Sequence, residues 1–178
     1  MTDLERLLAY EEIRQLACRY ALYMDSRDIG ALVGLFVPDV RVGRDRVGRA
    51  ALHADFDRQL REVGTTILFV GNHVIDLAGK GSDLLDDEAR GVVYCRAEIE
   101  VGDRLIRQAI QYRDTYARRD GVWLFVRRLH LLWYGAAEPS NPLRLAPAHW
   151  PENHTGKGTL PESLATWRAF WSAGSADD

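Results

Sequence analysis

The stretch QAIQYRDTYARRDGVWLFVRRLHLLWYG, residues 108–135, decides the fold. It contains two long segments in which apolar or aromatic residues alternate with polar ones, as in strands that turn one face to a core. Asp120 and Gly121 between them are a strong signal for a tight hairpin turn. The stretch therefore predicts two long antiparallel strands, one reaching about Arg118 and the other covering residues 122–134.

Two further strands precede this hairpin, over residues 65–77 and 91–101. The second alternates over its whole length, and one of its faces carries Val93, Cys95, Ala97, Ile99 and Val101. One alternating set of the first comprises Ile67, Phe69, His73, Ile75 and Leu77. Simple alternation thus turns His73 toward the apolar side, although Gly71 could host a bulge that redirects it.

Three helices come before the strands. A Thr-x-x-Glu capping box at Thr2 begins a helix that runs to about Met24. A second helix begins near Asp28, a residue suited to the N-cap, and ends before Pro38, and a third covers residues 49–63. Helices followed by antiparallel strands predict an α+β fold, with three N-terminal helices against a curved, mostly antiparallel sheet. The mouth of such a cone is a natural place for a small-molecule pocket.

The chain divides by composition into two parts. Residues 1–136 form the predicted cone domain. The remaining residues, 137–178, contain five of the six prolines and one short helical piece, PESLATWRAFW. They predict a C-terminal arm packed on the domain, with a frayed end at SAGSADD, residues 172–178.

The composition excludes several classes of partner. The net charge of −3 gives no general attraction to nucleic acid or to an anionic membrane surface. No apolar run approaches the ~20 residues of a membrane span, and the opening MTDLERLL lacks a signal-peptide pattern, so we expect a cytoplasmic protein. Cys18 and Cys95 lie in apolar periodic segments and are expected to be reduced core residues.

Metal and phosphate sites are not indicated. His149 and His154 lie in a proline-rich loop without a clustered third ligand, and the Gly-Lys-Gly that follows them is not preceded by a strand. We therefore expect no metal and no cofactor.

A phenol and a carboxylate at the end of the first helix raise the question of function. Tyr20 lies within the apolar stripe of that helix, and Asp25 lies at its edge. Burying a carboxylate is costly unless it is paired or hydrogen-bonded. Asp25 is therefore either an exposed helix-end residue, capping Asp28 or pairing with Arg27, or a residue that lines a site.

Two stretches carry a family likeness. EEIRQLACRYALYMDSRDIGALVGLFVPDV, residues 11–40, resembles the opening of the SnoaL-like branch of the nuclear transport factor 2-like superfamily. Residues 108–135 resemble the final hairpin of the same family, and the likeness covers about residues 1–136. That branch includes polyketide cyclases, scytalone dehydratase and lindane dehydrochlorinase. The resemblance implies a cone fold but no single chemistry, because this cone hosts catalysts and non-catalysts alike.

The resemblance also implies site residues. The catalytic aspartate of the branch matches Asp25, the tyrosine that dehydratases place five residues earlier matches Tyr20, and a pocket arginine of the last strand matches Arg128. The family's histidine belongs to a His-x-x-x-Asn pattern. Anchored on Asn72, that pattern places Leu68 at the histidine position.

Two other histidines could compensate for this departure. His73 is adjacent to Asn72, and His130 lies two residues after Arg128, hence on the same strand face. Each candidate also has a structural interpretation, such as a core aromatic for Tyr20 or a surface ion pair between Arg128 and Glu98.

The hypothesis that follows is a cofactor-independent lyase or isomerase acting on a hydrophobic cyclic molecule. A histidine (His73 or His130), oriented by Asp25, would remove a proton, and Tyr20 and Arg128 would stabilise the developing oxyanion. The candidate substrate-binding residues are Asn72, Leu68 and Met24. The alternatives are a non-catalytic small-molecule-binding module and a structural subunit, like the β subunit of ring-hydroxylating dioxygenases.

The last strand also predicts an assembly. Alternation leaves bulky residues on the face opposite Arg128 and His130, namely Trp123, Phe125, Leu129, Leu131 and Trp133. If the C-terminal arm does not cover these residues, they form an apolar patch too large for a monomer. We therefore expect a homodimer joined sheet to sheet, or a higher homo-oligomer.

Overall fold

The computed structural model describes residues 1–79, 82–151 and 153–174. Its elements are α1 Asp3–Ser26, α2 Ile29–Gly34, β1 Arg41–Val42, β2 Arg46–Val47, α3 Arg49–Arg61, β3 Thr66–Leu77, β4 Glu88–Val101, β5 Arg104–Arg119, β6 Val122–Ala137 and α4 Ala165–Ala173. The main sheet is antiparallel throughout, in the order β3-β4-β5-β6, and β1 and β2 form a separate hairpin. This confirms the predicted α+β class. None of the helices in the described ranges is long and apolar enough to cross a membrane.

Local sequence signals fix the helix starts. The Thr2 side chain accepts from the Glu5 amide and the Glu5 carboxylate accepts from the Thr2 amide, so the predicted capping box is present. Asp28 caps α2 by accepting from the Ala31 amide at 3.0 Å. The first helix continues to Ser26 and ends at Arg27, which takes the left-handed conformation with φ 58°.

A bulge in β3 corrects the predicted alternation. The strand pairs Val70 with Cys95 and then His73 with Val93, so Gly71 and Asn72 together face one residue of β4. Ile67 and Phe69, which precede the bulge, lie on the outer face of the sheet and are 46% and 74% exposed. His73, Ile75 and Leu77, which follow it, lie on the inner face. The single apolar set predicted for this strand is therefore wrong.

A second bulge, at Val126 in β6, corrects the predicted outer face. The register changes from Phe125 opposite Tyr116 to Arg127 opposite Thr115. Trp123 and Phe125, expected on the outer face, are fully buried in the core. Beyond the bulge the inner face passes to Arg128 and His130, so only the later part of the predicted outer set stays outside.

The main core lies between α1, α2 and the inner face of the sheet. Ile13, Leu16 and Tyr20 of α1 pack there, and the buried Trp123 and Phe125 belong to the same cluster. Cys95 is buried as expected, whereas Cys18 is exposed, contrary to the prediction. Cys18 lies beside the apolar stripe of α1 rather than in it, so its side chain turns to solvent.

The C-terminal residues contact the cone through α4. Phe170 packs in one cluster with Ile29, Val33 and Leu60, and the Arg27 guanidinium lies 4.7 Å from the Trp167 ring centroid. The last strand ends at Ala137. The division into residues 1–136 and 137–178 remains a prediction, and residues 175–178 of the expected frayed end lie outside the described residues.

Candidate functional site

A cavity of about 1220 Å³ opens between the inner face of the sheet, α1 and α3. Its deeper wall is mostly apolar and aromatic, and includes Met24, Phe36, Phe56, Leu68, Ala97, Ile110 and Tyr112. Tyr20, Gln108, Arg128 and His130 contribute polar groups to the same lining. A mainly apolar cleft with a few polar groups is the usual form of a small-molecule site.

A buried ion pair stands beside this cavity. Arg128 Nε donates to Asp114 Oδ1 at 2.9 Å, and a second guanidinium nitrogen donates to Asp114 Oδ2 at 2.7 Å. The Arg128 side chain is 5% exposed and that of Asp114 is fully buried. Burial disfavours the charged guanidinium, but its hydrogen bonds and its attraction to Asp114 keep the pKa of Arg128 above its ordinary value. The sequence offered Glu98 as a surface partner for Arg128, whereas Glu98 pairs with Arg107.

Three aromatic rings surround the Arg128 guanidinium. Its central carbon lies 4.4 Å from the Tyr20 ring centroid, 4.3 Å from that of Tyr112 and 4.4 Å from that of Phe125. In the described part of the chain, the phenol oxygens of Tyr20 and Tyr112 have no hydrogen-bond partner, yet both oxygens remain accessible to solvent. Burial raises the pKa of both phenols, so both keep their proton and can donate it to a ligand.

A hydrogen-bond chain leads away from the ion pair to His73. Tyr116 Oη donates to Asp114 Oδ2 at 2.8 Å and lies 3.1 Å from His73 Nε2. Because the single phenol hydrogen is used by Asp114, His73 Nε2 must be the donor, which leaves Nδ1 as a buried acceptor without a partner. Burial lowers the pKa of His73 to about 4, so the ring is neutral at pH 7.

Asp25 is held by strand β3. Its Oδ1 accepts from the Thr66 hydroxyl and its Oδ2 accepts from the Leu68 amide, both at 2.9 Å. Among the described residues no hydrogen bond joins Asp25 to a histidine, so the predicted pairing with His73 or His130 is not formed. Burial raises the pKa of Asp25 to about 6, although the bonds from Leu68 and Thr66 act in the opposite direction.

Arg27 completes the surroundings of Asp25. It donates to the Thr66 hydroxyl oxygen at 2.9 Å and also to the carbonyl groups of Met24 and Gly64. The Thr66 hydroxyl thus donates a hydrogen bond to Asp25 while it accepts one from Arg27. The arrangement connects the end of α1 to the start of β3, and both carboxylate oxygens of Asp25 are engaged in that connection.

His130 is the histidine that lines the cavity. It is exposed, and its ring centroid lies 5.5 Å from that of Tyr112. Burial of part of the ring and the nearby charge of Arg128 lower the pKa of His130 below its ordinary value. The imidazole is therefore mostly neutral at pH 7 and able to accept a proton.

Of the three predicted substrate-binding residues, two line the cavity and one does not. Met24 and Leu68 line the cavity. Asn72 lies in the β3 bulge, exposed and away from the lining. Tyr112, Asp114 and Tyr116 were missed by the sequence analysis, although they occupy alternate positions of β5, and that alternation places a carboxylate between two tyrosines on one face. Among the described residues no cluster of three or more His, Cys, Asp or Glu side chains could hold a metal.

A sequence profile of the SnoaL-like domain matches residues 5–129, which is most of the chain. The chain belongs to this family. Among curated proteins, no significant match was found. The predicted membership of the nuclear transport factor 2-like superfamily is confirmed, and the SnoaL-like fold agrees with the sheet and helices described above.

Solved structures of similar proteins support the same fold. The hexachlorocyclohexane dehydrochlorinase LinA-type3 of Novosphingobium barchaimii is 21% identical, with TM-score 0.67, over 78% of this chain and 95% of its own. A Novosphingobium aromaticivorans protein provisionally assigned as a scytalone dehydratase is 22% identical, with TM-score 0.65, over 79% and 94%. A nuclear transport factor 2-like protein with a cystatin-like fold, from Novosphingobium aromaticivorans, is 29% identical, with TM-score 0.56, over 76% and 94%.

Proposed function

We propose that this SnoaL-like protein is a cofactor-independent lyase or isomerase that binds a hydrophobic cyclic molecule in its cavity. One observation carries the proposal: the hydroxyl groups of two protonated, cavity-lining phenols, Tyr20 and Tyr112, have no hydrogen-bond partner among the described residues, and both rings lie directly beside the Arg128 guanidinium. Two such donors can hold the oxygen of a ketone and stabilise the negative charge that develops when a neighbouring carbon loses its proton. The cavity volume of about 1220 Å³ admits a molecule of several fused rings.

The proton acceptor in this proposal is His130. Its imidazole lines the same cavity and is mostly neutral, and its ring packs against that of Tyr112. It would take a proton from the carbon beside the ketone and return it to a different carbon, which is an isomerisation, or donate it to a hydroxyl on the next carbon, whose C–O bond breaks to release water in a dehydration. Asp25 has no direct part in this step because its oxygens are held by Thr66 and Leu68.

The second candidate is a non-catalytic binding protein of the same fold. Leu68 favours it, because an apolar side chain stands where the family's histidine pattern expects a base. The dehydrochlorinase and the dehydratase among the structural neighbours are 21% and 22% identical to this chain, and similarity at that level supports a shared fold but not a shared reaction.

Binding is tested with N-phenyl-1-naphthylamine, a neutral dye whose fluorescence rises in apolar sites. We expect the wild-type chain to bind it and Gln108→Trp to lose it, since Gln108 lines the cavity. The matched control is Gln111→Trp on the same strand, whose side chain lies on the outer face and donates to Tyr94 Oη. Equal binding by both variants would contradict a ligand site in the cavity.

Catalysis is tested without knowing the natural substrate. A Δ5-3-keto steroid becomes an ultraviolet-absorbing enone on isomerisation, and cyclic ketones in D₂O report proton removal by exchange of their α-hydrogens in NMR spectra. We expect exchange above background, reduced about tenfold or more by Tyr20→Phe, Tyr112→Phe and His130→Gln. Dye binding without exchange for any ketone would favour the non-catalytic candidate.

A further inference from the structure

Four arginines stand around the outer part of the cavity, namely Arg41, Arg44, Arg119 and Arg127, here called the arginine rim. All four are exposed. Within the described ranges, the side chains of these four residues have no hydrogen bond, ion pair or stacked ring. Most other cavity-side charges are compensated, which makes this set unusual.

The acidic residues of the lining do not balance the rim. Asp55 already accepts from Arg46 and Arg58, both at 3.1 Å, and Arg128 is neutralised by Asp114. Asp39 is then the single unpaired acid among the described lining residues, against four unpaired arginines. The chain as a whole carries a net charge of −3, so the sign at the cavity mouth is opposite to that of the molecule. A local excess of positive charge in a cleft raises the local concentration of small anions.

Three separate elements bring the rim together. Arg41 and Arg44 belong to the β1–β2 hairpin, Arg119 ends β5, and Arg127 follows the β6 bulge. The Val37 amide donates to the Phe125 carbonyl at 2.9 Å and the Phe125 amide donates to the Leu35 carbonyl at 2.8 Å, and these two bonds hold the approach to the hairpin beside β6. The rim is thus a consequence of tertiary structure: exposed arginines from three elements line one cavity, whose buried wall is mostly apolar.

We propose that the arginine rim binds the carboxylate of an amphiphilic ligand whose hydrophobic rings occupy the cavity. This inference rests on the proposed function, and it narrows the ligand to a hydrophobic cyclic carboxylic acid. Arginine suits this task because its planar guanidinium presents two parallel donors to a carboxylate. Tyr20 and Tyr112 then hold an oxygen at the far end of the ligand, so the rim fixes which end enters first.

The test uses two fluorescent probes that share one four-ring body, 1-pyrenebutyric acid and 1-pyrenebutanol. At low salt we expect the acid to bind about tenfold more tightly than the alcohol, as expected when a hydrogen bond to a charged group is gained. Arg44→Gln combined with Arg127→Gln should abolish this preference and leave the affinity for the alcohol within about twofold. Arg104→Gln, a matched loss of charge outside the lining, should change neither probe.

The outcomes separate the two proposals. If both probes bind equally while N-phenyl-1-naphthylamine still binds in the cavity, the anion site is wrong and the proposed function stands. If the acid keeps its preference in the double variant, the carboxylate lies elsewhere and the rim is not its site. If neither probe nor the dye binds, the cavity itself takes no ligand and both proposals fail.

Discussion

The backbone amide of Leu68 donates a hydrogen bond to Asp25 Oδ2 at 2.9 Å. The resemblance to the family also places Leu68 at the position of a histidine, and Asp25 contacts the backbone of that residue rather than an imidazole. The carboxylate of Asp25 connects the end of α1 to the start of β3. This relationship explains why Asp25 is absent from the proposed reaction.

Replacing Leu68 by histidine should bring an imidazole back to the carboxylate. In Leu68→His we expect the introduced ring to titrate well above the value of about 4 of His73, because ionised Asp25 favours the charged ring. The measurement is a pH titration of the imidazole signals by NMR. Adding Asp25→Asn should lower that pKa again, and an unchanged value in the double variant would show that the two side chains do not meet.

Asp25 and His73 should give the stability of the protein two opposing dependences on pH. The pKa of Asp25 is raised from 3.8 to about 6, so its proton stabilises the folded state below pH 4 by up to about 3 kcal/mol, a gain lost as the pH rises to 6. The pKa of His73 is lowered from 6.5 to about 4, so its contribution is present above pH 6.5 and is lost as the pH falls to 4. The two slopes oppose each other in the wild-type chain.

Single variants should expose each slope. Urea unfolding of Asp25→Asn between pH 4 and 6.5 should show stability rising with pH, the contribution of His73 alone. His73→Gln should show stability falling over the same interval, the contribution of Asp25 alone. Parallel curves for the two variants would contradict the assignment.

The fold could be predicted from sequence because its signals are local. The capping box at Thr2, the N-cap at Asp28 and the Asp120-Gly121 turn depend on neighbouring residues, and the long alternating strands carry their own period. The sequence marks Gly71 as a possible bulge site without deciding whether a bulge forms there, and it does not indicate the bulge at Val126. A bulge shifts one strand against its partner, and simple alternation contains no record of the partner's register.

The site was harder to predict for the same reason. Sequence reasoning proposed His73 as a substitute for the family histidine, oriented by Asp25, yet the hydrogen-bond partner of His73 is Tyr116, which the β3 bulge brings within reach. The partner of Arg128 is Asp114, which faces it across neighbouring strands, and that pairing depends on the β5–β6 register. Sequence named the pocket arginine but could not supply its counterion.

Gly91 should be needed for the contact between His73 and Tyr116. A Cβ at Gly91 would lie 2.9 Å from Tyr116 Oη and 3.0 Å from His73 Nε2, too close for either ring to stay in place. We expect Gly91→Ala to lower the free energy of unfolding by about 1–3 kcal/mol. Gly135→Ala is the control, since its Cβ would meet Gln108 at an ordinary 3.7 Å. Similar unfolding curves for both variants would contradict this reasoning.

The outer face of the sheet should join copies of this chain. Phe69 is 74% exposed and Trp133 is 65% exposed, and the Trp133 ring stacks on Tyr94 with centroids 6.3 Å apart. Exposed aromatic groups of this kind are typical of interfaces. We expect light scattering at micromolar concentration to return at least twice the mass of one chain, and Phe69→Glu with Trp133→Glu to reduce it to one. Arg19→Glu, an exposed position on α1 and away from the outer face of the sheet, is the control. A wild-type chain of single mass would exclude this assembly.

The ion pair of Asp114 and Arg128 should be the most costly contact to break. Removing one partner leaves a buried charge without compensation, which costs about 3–5 kcal/mol, so Asp114→Asn should lower the free energy of unfolding by that amount. Glu98→Gln breaks a half-exposed pair with Arg107 at 3.6 Å and should cost less than about 1 kcal/mol. Urea denaturation compares the two, and equal losses would contradict the assignment. Because Arg128 also packs on the Tyr20 and Tyr112 rings, Asp114→Asn should weaken binding of N-phenyl-1-naphthylamine even where the variant remains folded, whereas Glu98→Gln should not.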